Sequence, residues 1–235
     1  PVVNVSSGNL TLNSNGTFTY VPVLNFNGTV SFTYEVCDNA IPSLCATAVT
    51  TIDVLSVNDA PTALADAYSI NEDTPLNGSS VLVNDFDVEL NTISLNTTPI
   101  VAPLHGALIL NSNGTFTYTP FPNYNGADSF TYEICDNGTP SLCATAVANI
   151  TINSINDNPV ALNDNGSTLE NIVLNGTTIL ANDSDPENGT LTVSTTPITN
   201  VSNGTLVLNS NGTYTYTPNL NYNGFDTFVY QVCDN

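Results

Sequence analysis

The sequence contains no lysine and no arginine, whereas it has 21 acidic residues and a formal net charge of −21. Because no carboxylate can pair with a lysine or arginine of its own chain, solvent, hydrogen-bond donors or bound cations must stabilise these acids. Nucleic acid is excluded as a partner, since phosphate binding depends on basic side chains. Lys–Asn isopeptide cross-links are excluded as well, because they require lysine.

The sequence also has only one histidine, no sustained helical periodicity and no long apolar run. The one histidine, His105, corresponds to Ser7 and Asn203 in the repeats described below, so a Ser-His-Asp site cannot recur from repeat to repeat. We therefore predict a loop histidine, no catalytic residue and no enzyme activity. No segment is apolar enough for membrane insertion. The hydrophobic content of 41% and regular alternation favour a folded chain over a disordered acidic one.

The chain repeats itself with a period of 98 residues. The motif NSNGT recurs around Gly16, Gly114 and Gly212, and VNDAP at Val57–Pro61 returns as INDNP at Ile155–Pro159. No insertion or deletion interrupts the period, which indicates a tandem array of one unit. A unit of this length is large enough to bury its own core.

This period predicts the domain organisation. We expect residues 1–57 to be the C-terminal part of one repeat, residues 58–155 a complete repeat, and residues 156–235 the N-terminal part of a third. The third copy of the cysteine motif ends at Asn235. We therefore expect the chain to be a piece of a longer protein, with its neighbouring repeats as partners.

The apolar residues alternate with period two, which is typical of β-strands. In Ser129–Cys135, for example, Phe130, Tyr132 and Ile134 share one face. Seven strands are expected in the complete repeat: A at 63–70, B at 76–83, C at 92–98, D at 107–111, E at 115–119, F at 129–135 and G at 143–154. Seven short strands in about 100 residues indicate an all-β, immunoglobulin-like antiparallel sandwich. The chain has no tryptophan, so the Cys–Trp–Cys pattern of antibody domains is absent.

Each cysteine pair flanks the loop between strands F and G. Cys37 and Cys45 form one pair, Cys135 and Cys143 the next, and the partner of Cys233 is expected outside the chain. A zinc site requires about four clustered ligands, and a redox site requires a C-x-x-C motif, which is absent. A disulfide that staples the loop is therefore favoured over both alternatives. A disulfide implies an oxidising environment, so we predict an exported protein.

Acidic and amide residues are expected to meet where one repeat follows another. In an antiparallel sandwich the B–C and F–G loops lie at the end where strand A enters, and the A–B and E–F loops lie at the opposite end. Calcium takes six to eight oxygen ligands from carboxylates, amides and carbonyls, whereas magnesium suits such a set less well. The predicted calcium ligands at the second junction are Glu72, Asp128, Asn156, Asp157, Asn158, Asp183, Asp185, Glu187 and Asp234.

The first junction has a similar but reduced set. Its predicted ligands are Asn58, Asp59, Asp85, Asp87, Glu89 and Asp136. Alanine stands where the second linker has Asn158, and Val30 stands where the second repeat has Asp128. We therefore expect the first junction to bind fewer ions. Asp136 has a competing role, since an aspartate in this loop can instead accept backbone hydrogen bonds.

The sequence resembles a known family. INDNP is similar to the calcium-binding linker of cadherins. NEDTPL, followed by VLVNDFDVE and by HGALILNSNGTFTYTPFPNYNGADSFTYEICD, resembles the cadherin-like (tandem-95, VCBS-like) repeats of giant bacterial surface adhesins. The cysteine pair and the absence of basic residues depart from that pattern and resemble the gliding and attachment adhesins of Bacteroidetes.

The resemblance implies a calcium-stiffened extender region of an exported cell-surface adhesin, which holds a distal binding tip away from the cell. Ions at each junction would then screen the carboxylates and fix the angle between repeats. Two alternatives stay open: modules that bind a glycan or a partner cell directly, and a subunit of a self-assembling extracellular filament. Host or substratum glycans and other cells are expected to be contacted through other regions of the parent protein.

Overall fold

The computed structural model describes residues 1–235, and every regular element is a β-strand. No helix is present that has the length and apolar character to cross a bilayer. The predicted all-β class is confirmed. The strands are β1 Asn9–Leu12, β2 Phe18–Val21, β3 Gly28–Cys37, β4 Cys45–Val54, β5 Asp66–Asn71, β6 Leu76–Gly78, β7 Ser94–Leu95, β8 Gly106–Leu110, β9 Phe116–Pro120, β10 Gly126–Cys135, β11 Cys143–Asn153, β12 Leu174–Gly176, β13 Thr192–Val193, β14 Gly204–Leu208, β15 Tyr214–Pro218 and β16 Val232–Cys233.

The second repeat, residues 58–155, contains two sheets. One has the order β5-β11-β10-β7, and the other has the order β6-β9-β8. These seven strands follow the predicted order A to G. Strand β5 pairs in parallel with β11, whereas the other neighbours are antiparallel.

Alternation along the strands builds the core of the second repeat. In β10 the even positions Phe130, Tyr132 and Ile134 are fully buried, while the odd positions between them are only half-buried. Phe130 packs against Phe116 of the opposite sheet. The two rings meet in an edge-to-face arrangement, with their centroids 5.2 Å apart. The cluster comprises 13 buried residues from both sheets, so this repeat has a hydrophobic core of its own.

Several strand boundaries differ from the expected ones. The B and C strands are shorter than predicted, because β6 ends at Gly78 and β7 spans only two residues. After β6 the Ser80 hydroxyl donates to the carbonyl of Asn113 in the D–E turn, and only the Val81 N–H bonds back across the sheet. Strand β10 begins at Gly126, earlier than predicted, because its ladder with β11 continues to the Gly126–Ile152 pair.

The flanking portions contain subsets of the same strands. Residues 1–57 form the hairpins β1–β2 and β3–β4, and residues 156–235 form the sheet β12-β15-β14 together with the short pair β13–β16. We refer to these portions as the first and third repeats. The boundaries after residues 57 and 155 stay predictions.

Two disulfides join the predicted cysteines. Cys37 is bonded to Cys45, and Cys135 is bonded to Cys143. Each pair lies directly opposite in an antiparallel ladder, at the loop end of β3–β4 or β10–β11. The remaining cysteine, Cys233, is free and exposed.

His105 lies in the C–D connection, as the loop prediction requires. Its ring stacks on Tyr124 with centroids 4.0 Å apart. Nδ1 lies 3.9 Å from an oxygen of Asp128, so this histidine is the one side chain of the chain that can offer a carboxylate a positive charge. The contact is an ion pair only when the imidazole is protonated.

Candidate metal centre

The second junction consists of the linker 154–159, the A–B loop of the second repeat and the B–C loop of the third. The linker is held from both sides. The Ile155 N–H donates to Glu72 Oε1 at 2.6 Å, and the Asp157 N–H donates to Glu187 Oε2 at 2.9 Å. Glu72, which follows β5, is only 2% exposed, and its other oxygen accepts from the Asn125 amide. One glutamate from each repeat therefore fixes the backbone between them.

Three carboxylate oxygens at the second junction are buried and accept no hydrogen bond, namely Asp157 Oδ2, Asp185 Oδ2 and Glu187 Oε1. Asp183 Oδ2 is also unpaired, but Asp183 is the repeat counterpart of Asp85: its Oδ1 accepts the Leu162 N–H, and its charge acts on Tyr230 within the third repeat. A buried charged oxygen without a partner is unfavourable, and in native proteins such groups are paired or bind metal. The other oxygens of Asp183, Asp185 and Glu187 accept backbone N–H groups, which fix the side chains in place. The unpaired oxygens of these three are thus held by their own loops.

The electrostatic environment of Asp157 reflects this crowding of negative charge. Partial burial and then the charges of Glu187, Asp73 and Glu72 raise the pKa of Asp157 above 3.8. These charges come from both repeats, since Glu72 and Asp73 precede the linker and Glu187 follows it. The second junction therefore combines carboxylates from two repeats, and the chain has no lysine or arginine to neutralise them.

At the first junction, as at the second, a glutamate of the following repeat accepts a hydrogen bond from the linker backbone. The Asp59 N–H donates to Glu89 Oε2 at 3.1 Å. The amide of Asn58 donates to Asp136 Oδ2 and to the carbonyl of Pro140, and its oxygen accepts from Asn91. Asn58 therefore joins the linker to the F–G loop.

Fewer oxygens are unpaired at the first junction. Asp87 is 4% exposed, and its Oδ1 accepts the N–H groups of Glu89 and Asn91. Its Oδ2 is buried without a partner, and no other carboxylate of the first junction has such an oxygen. This difference agrees in direction with the expectation that the first junction binds fewer ions, which stays a prediction.

Asp136 mainly organises the F–G loop. Its Oδ1 accepts the N–H groups of Gly138 and Leu142, and its Oδ2 accepts the Asn58 amide. Burial acts to raise its pKa, but these hydrogen bonds outweigh burial and lower the pKa of Asp136 below 3.8. The contacts of Asp136 therefore support its role as an acceptor of backbone hydrogen bonds in the F–G loop.

Asp128 requires a correction to the predicted ligand set. Oδ1 accepts the N–H groups of Leu104 and Ser129, while Oδ2 accepts the His105 N–H and the Tyr118 hydroxyl. Burial opposes ionisation, but these donors lower the pKa of Asp128. With both oxygens used to anchor the C–D connection, Asp128 is left out of the proposed ligands.

Asp85 also points into its own repeat. Its Oδ1 accepts the Leu64 N–H at 2.8 Å, and both of its oxygens lie within 3.3 Å of the Tyr132 hydroxyl. The same hydroxyl lies 3.0 Å from Asp66 Oδ2. Asp85 therefore ties strand A and the start of the B–C loop to β10, so we leave it out of the junction ligands.

The remaining predicted residues lie on the linkers or at the end of the chain. Asp59, Asn156 and Asn158 are exposed, and Asp234 is half-buried. Next to Asp234, Asn235 accepts the Thr190 N–H, as Asn137 accepts the Thr92 N–H in the second repeat. The structure thus brings Asp234 to the B–C loop of its own repeat.

Two contributing residues were not predicted as ligands. Asp73 acts on Asp157 through its charge, and Asn91 holds Asn58 through its side-chain amide. Asp73 directly follows Glu72 in the sequence NED, so its position beside a predicted ligand was the available signal. Asn91 lies two residues after Glu89, and no sequence signal distinguished it from an ordinary turn asparagine.

The carboxylates of the two junctions do not form a compact group of ligand atoms. No three His, Cys, Asp or Glu side chains of either junction have ligand atoms within 4.8 Å of one another. The one group that meets this spacing is Glu35 with Cys37 and Cys45, where both sulfurs are already joined in a disulfide. A cation at the second junction would therefore draw the carboxylates of the two repeats together.

The fold and the acidic linkers define a class of protein, namely tandem extracellular-type β-sandwich repeats joined by short linkers. Residues 58–154 and 156–235 each match the bacterial cadherin-like domain family, and residues 1–53 match the cadherin-like domain family. The chain belongs to the bacterial cadherin-like domain family. The predicted resemblance to cadherin-like repeats is confirmed.

Solved cadherin structures have the same fold. The protocadherin gammaB7 EC3–6 cis-dimer structure is 19% identical with a TM-score of 0.57, and the match covers 98% of this chain but 62% of that one. Mouse cadherin-23 EC22–24 is 15% identical with a TM-score of 0.55 and coverages of 97% and 83%. Human CDH23 EC21–23 is 20% identical with a TM-score of 0.51 and coverages of 94% and 80%. A search among curated proteins returned no match.

Proposed function

We propose that this chain is a calcium-stiffened extender region of an exported cell-surface adhesin. In this role the repeats hold a distal binding tip away from the cell and catalyse no reaction. The cadherin-like fold supports repeats that contact their neighbours end to end. The division into repeats at residues 57/58 and 155/156 is part of this proposal.

The observation that carries the proposal is the set of three unpaired, buried carboxylate oxygens at the second junction, on Asp157, Asp185 and Glu187. These are hard oxygen ligands on a chain that has no lysine or arginine to neutralise them. Calcium accepts six to eight such oxygens in flexible geometry, whereas magnesium requires a near-ideal octahedron. Calcium is therefore the cation that fits this donor set best.

The link between cation binding and stiffness follows from the linker contacts. Without a cation, the second linker is held by one hydrogen bond to Glu72 and one to Glu187, while like charges from both repeats oppose closure. A bound divalent cation would add attraction between the repeats and would remove that repulsion. The hinge between two repeats should then become a fixed angle.

Export and surface location are supported by the disulfides and by the fold. Disulfides form in oxidising compartments outside the cytosol, and each complete F–G loop contains one. The absence of basic residues also removes every cleavage site for trypsin-like proteases, which favours persistence outside the cell. Adhesion is proposed to reside in other regions of the parent protein.

The test measures small-angle X-ray scattering and thermal unfolding of the full chain in calcium and in chelator. Calcium should increase the maximum dimension of the molecule and raise the melting temperature. An unchanged scattering profile together with an unchanged melting temperature would rule out the proposal.

A matched pair of variants assigns the effect to a junction. Asp185→Asn with Glu187→Gln keeps one acceptor oxygen per side chain, so the backbone hydrogen bonds at 185 and 187 are preserved while two charges are removed. Asp87→Asn with Glu89→Gln makes the equivalent change at the first junction. We expect the first variant to lose more of the calcium response than the second, because more unpaired carboxylate oxygens lie at the second junction. Equal losses in both variants would contradict the assignment of the stronger site to the second junction.

A further inference from the structure

Acidic residues are absent from one part of every repeat. The chain contains 21 aspartates and glutamates, yet none of them lies within residues 1–34, 90–127 or 188–225. In the second repeat this acid-free segment, residues 90–127, comprises β7, the C–D connection, β8 and β9. The negative charge of the repeat is therefore carried by its other strands and loops.

The acid-free segment forms one edge of the sandwich. Strand β7 is outermost in the sheet β5-β11-β10-β7, and β8 is outermost in the sheet β6-β9-β8. The Tyr68 hydroxyl of β5 donates to the carbonyl of Ser79 beside β6, which places β5 and β6 together at one edge. Strands β7 and β8 therefore lie together at the other edge, which we call the C–D edge. Glu133 of β10 alternates with the buried residues of that strand, so it points away from the sheet that contains β8.

Strand β8 is the unprotected edge strand of the second repeat. Four strands end a sheet there, and three of them have features that hinder pairing with another chain. Strands β6 and β7 have only three and two residues, and β5 contains Asp66. Short strands and charged side chains are common protections of a sheet edge. Strand β8 has the sequence GALIL, with neither a charge nor a proline.

The backbone groups at the even-numbered positions of β8 point outward. At one end of the β8–β9 ladder the Phe121 N–H donates to the His105 carbonyl, and at the other end the Asn111 N–H donates to the Thr115 carbonyl. Because hydrogen-bonded pairs alternate in an antiparallel ladder, the odd positions of β8 bond to β9 and the even positions face away from it. Residues 106–110 make no backbone hydrogen bond beyond this ladder. Positions 106, 108 and 110 can therefore pair with a further strand.

Exposed apolar side chains border the same edge. Ile109, on the outer face of β8, is 66% exposed, and Leu104, two residues before the strand, is 77% exposed. Ala107, the other outward side chain of β8, is exposed as well. A partner that covers this surface removes apolar area from water, which stabilises the complex.

A second copy of β8 matches this edge in charge. Two chains with a net charge of −21 repel each other, and an acidic partner would be repelled in the same way. Contact through β8 brings together two strands that contain no acidic residue, with β9 behind each of them equally free of acids. The C–D edge is thus the part of the second repeat where two copies can approach with little repulsion.

A second copy of β8 also matches the edge in register. When two β8 strands pair in antiparallel orientation about a two-fold axis at Leu108, position 108 faces its own copy and position 106 faces position 110. The outward backbone groups then meet one another. Ile109 of each copy lies opposite Ala107 of the other, so a large side chain meets a small one. The interface is self-complementary, as a two-fold axis requires.

We propose that two copies of this chain associate through the C–D edge, with β8 paired to β8 in this register. The two sheets β6-β9-β8 become one continuous sheet of six strands. In the third repeat β14, with the sequence GTLVL, is likewise outermost in its sheet and free of charge, so the same kind of pairing recurs along the array. The association does not depend on the cation function proposed above.

The first test measures the mass of the full chain by sedimentation velocity over a range of protein concentrations, in chelator. We expect an equilibrium between monomer and dimer. Raising the salt from about 0.01 M to about 0.15 M should favour the dimer, because the screening length decreases from about 30 Å to about 8 Å. A chain that stays monomeric at millimolar concentration in the higher salt would overturn the proposal.

Hydrogen exchange at single-residue resolution tests the register. As protein concentration rises, exchange should slow at the amides of residues 106, 108 and 110. The amides of residues 107 and 109 should keep their rates, because they already bond to β9. Concentration-dependent protection of β5 in place of β8, or protection without this alternation, would contradict the proposed pairing.

A matched pair of lysine variants separates edge pairing from net charge. Ile109→Lys removes two Ile–Ala contacts from the dimer and should weaken its dissociation constant at least about tenfold. Ala67→Lys makes the same change of charge at an exposed position of β5, on the opposite edge, and should not weaken association. Since each lysine lowers the repulsion between chains, an association governed by net charge alone would be strengthened by both variants. That result, or equal weakening by both, would overturn the proposal, and thermal unfolding checks that both variants are folded.

Discussion

At the residue scale, the acidic side chains are of two kinds. Some use both oxygens in hydrogen bonds within their own repeat, and others have one buried oxygen without a hydrogen-bond partner. Asp128 is of the first kind, because four donors use both of its oxygens. Asp226 makes the equivalent bonds in the third repeat. In the first repeat Val30 takes this position, and the Tyr20 hydroxyl donates to the carbonyl of Ser7 instead. The tyrosine hydroxyl is thus paired with a carboxylate in the second repeat and with a backbone carbonyl in the first.

Asp128→Asn should destabilise the second repeat by about 1–3 kcal/mol, because an amide replaces an oxygen that accepts two hydrogen bonds in a buried place. The wild-type contribution should also decrease with acidification. The pKa of Asp128 is lowered by its donors, so its stabilisation is present above the ordinary pKa of 3.8 and is lost as pH falls through the folded value. Denaturant titration at several pH values measures both effects.

The control for Asp128 is Asp53→Asn, because Asp53 is exposed and accepts only from the Thr29 hydroxyl. This variant should leave the unfolding midpoint unchanged. If both variants behave alike, the hydrogen bonds of Asp128 have no special role in stability.

At the element scale, the hairpin β10–β11 organises the second repeat. Its ladder spans ten residue pairs, from Gly126–Ile152 to Cys135–Cys143, and β11 in turn holds β5 in parallel. The buried residues of both strands form much of the core. Loss of the hairpin would therefore release strand A together with strand G.

The double substitution Cys135→Ser and Cys143→Ser should lower the free energy of unfolding of the second repeat by about 2.6 kcal/mol, the loop-entropy value for a closed loop of about nine residues. Hydrogen exchange across β10 under mild denaturant measures this change. The matched substitutions Cys37→Ser and Cys45→Ser should leave β10 unaffected, because they remove the staple of the first repeat. An equal response of β10 to both pairs would show that the repeats do not unfold independently.

At the scale of the whole molecule, the net charge of −21 couples stability to pH and to cations. Burial raises the pKa values of Asp157, Asp66 and Asp85 above 3.8, and neighbouring carboxylates add to the rise at Asp157 and Asp66. The pKa values of Asp128 and Asp136 are lowered. The two groups therefore act in opposite directions as the solution becomes acidic.

In chelator, the melting temperature should rise as pH falls from neutral towards 3.8. Carboxyl groups with raised pKa values in the folded state take up protons there at a higher pH than in the unfolded state. Their ionised form destabilises the fold, and this destabilisation is lost as pH falls through those values. Below 3.8 the trend should reverse, because the stabilisation from Asp128 and Asp136 is lost. Differential scanning calorimetry measures the profile.

Excess calcium provides the control for this profile. Protons and calcium compete for the same carboxylates, so acidification in calcium should lower the melting temperature from neutral pH onward. A melting temperature that falls steadily in chelator as well would contradict the assignment of repelling, uncompensated carboxylates to the junctions.

The sequence by itself determined the features that local pattern encodes. Period-two alternation assigned Phe130, Tyr132 and Ile134 to the buried face of one strand, because side-chain direction in a strand follows position parity. The disulfide pairs followed from cysteines that flank one hairpin loop. The 98-residue period identified the tandem repeats, and the alternating segments gave the order of the seven strands in the second repeat.

Only the tertiary structure decided which acids have oxygens left for a cation. Asp85 and Asp128 look like Asp87 and Asp157 in sequence, since all lie in polar turns or near loops. Yet Asp128 is held by Leu104, 24 positions away, and Asp85 meets Tyr132, 47 positions away. Such partners are set by the packing of sheets and connections, and no local pattern encodes them.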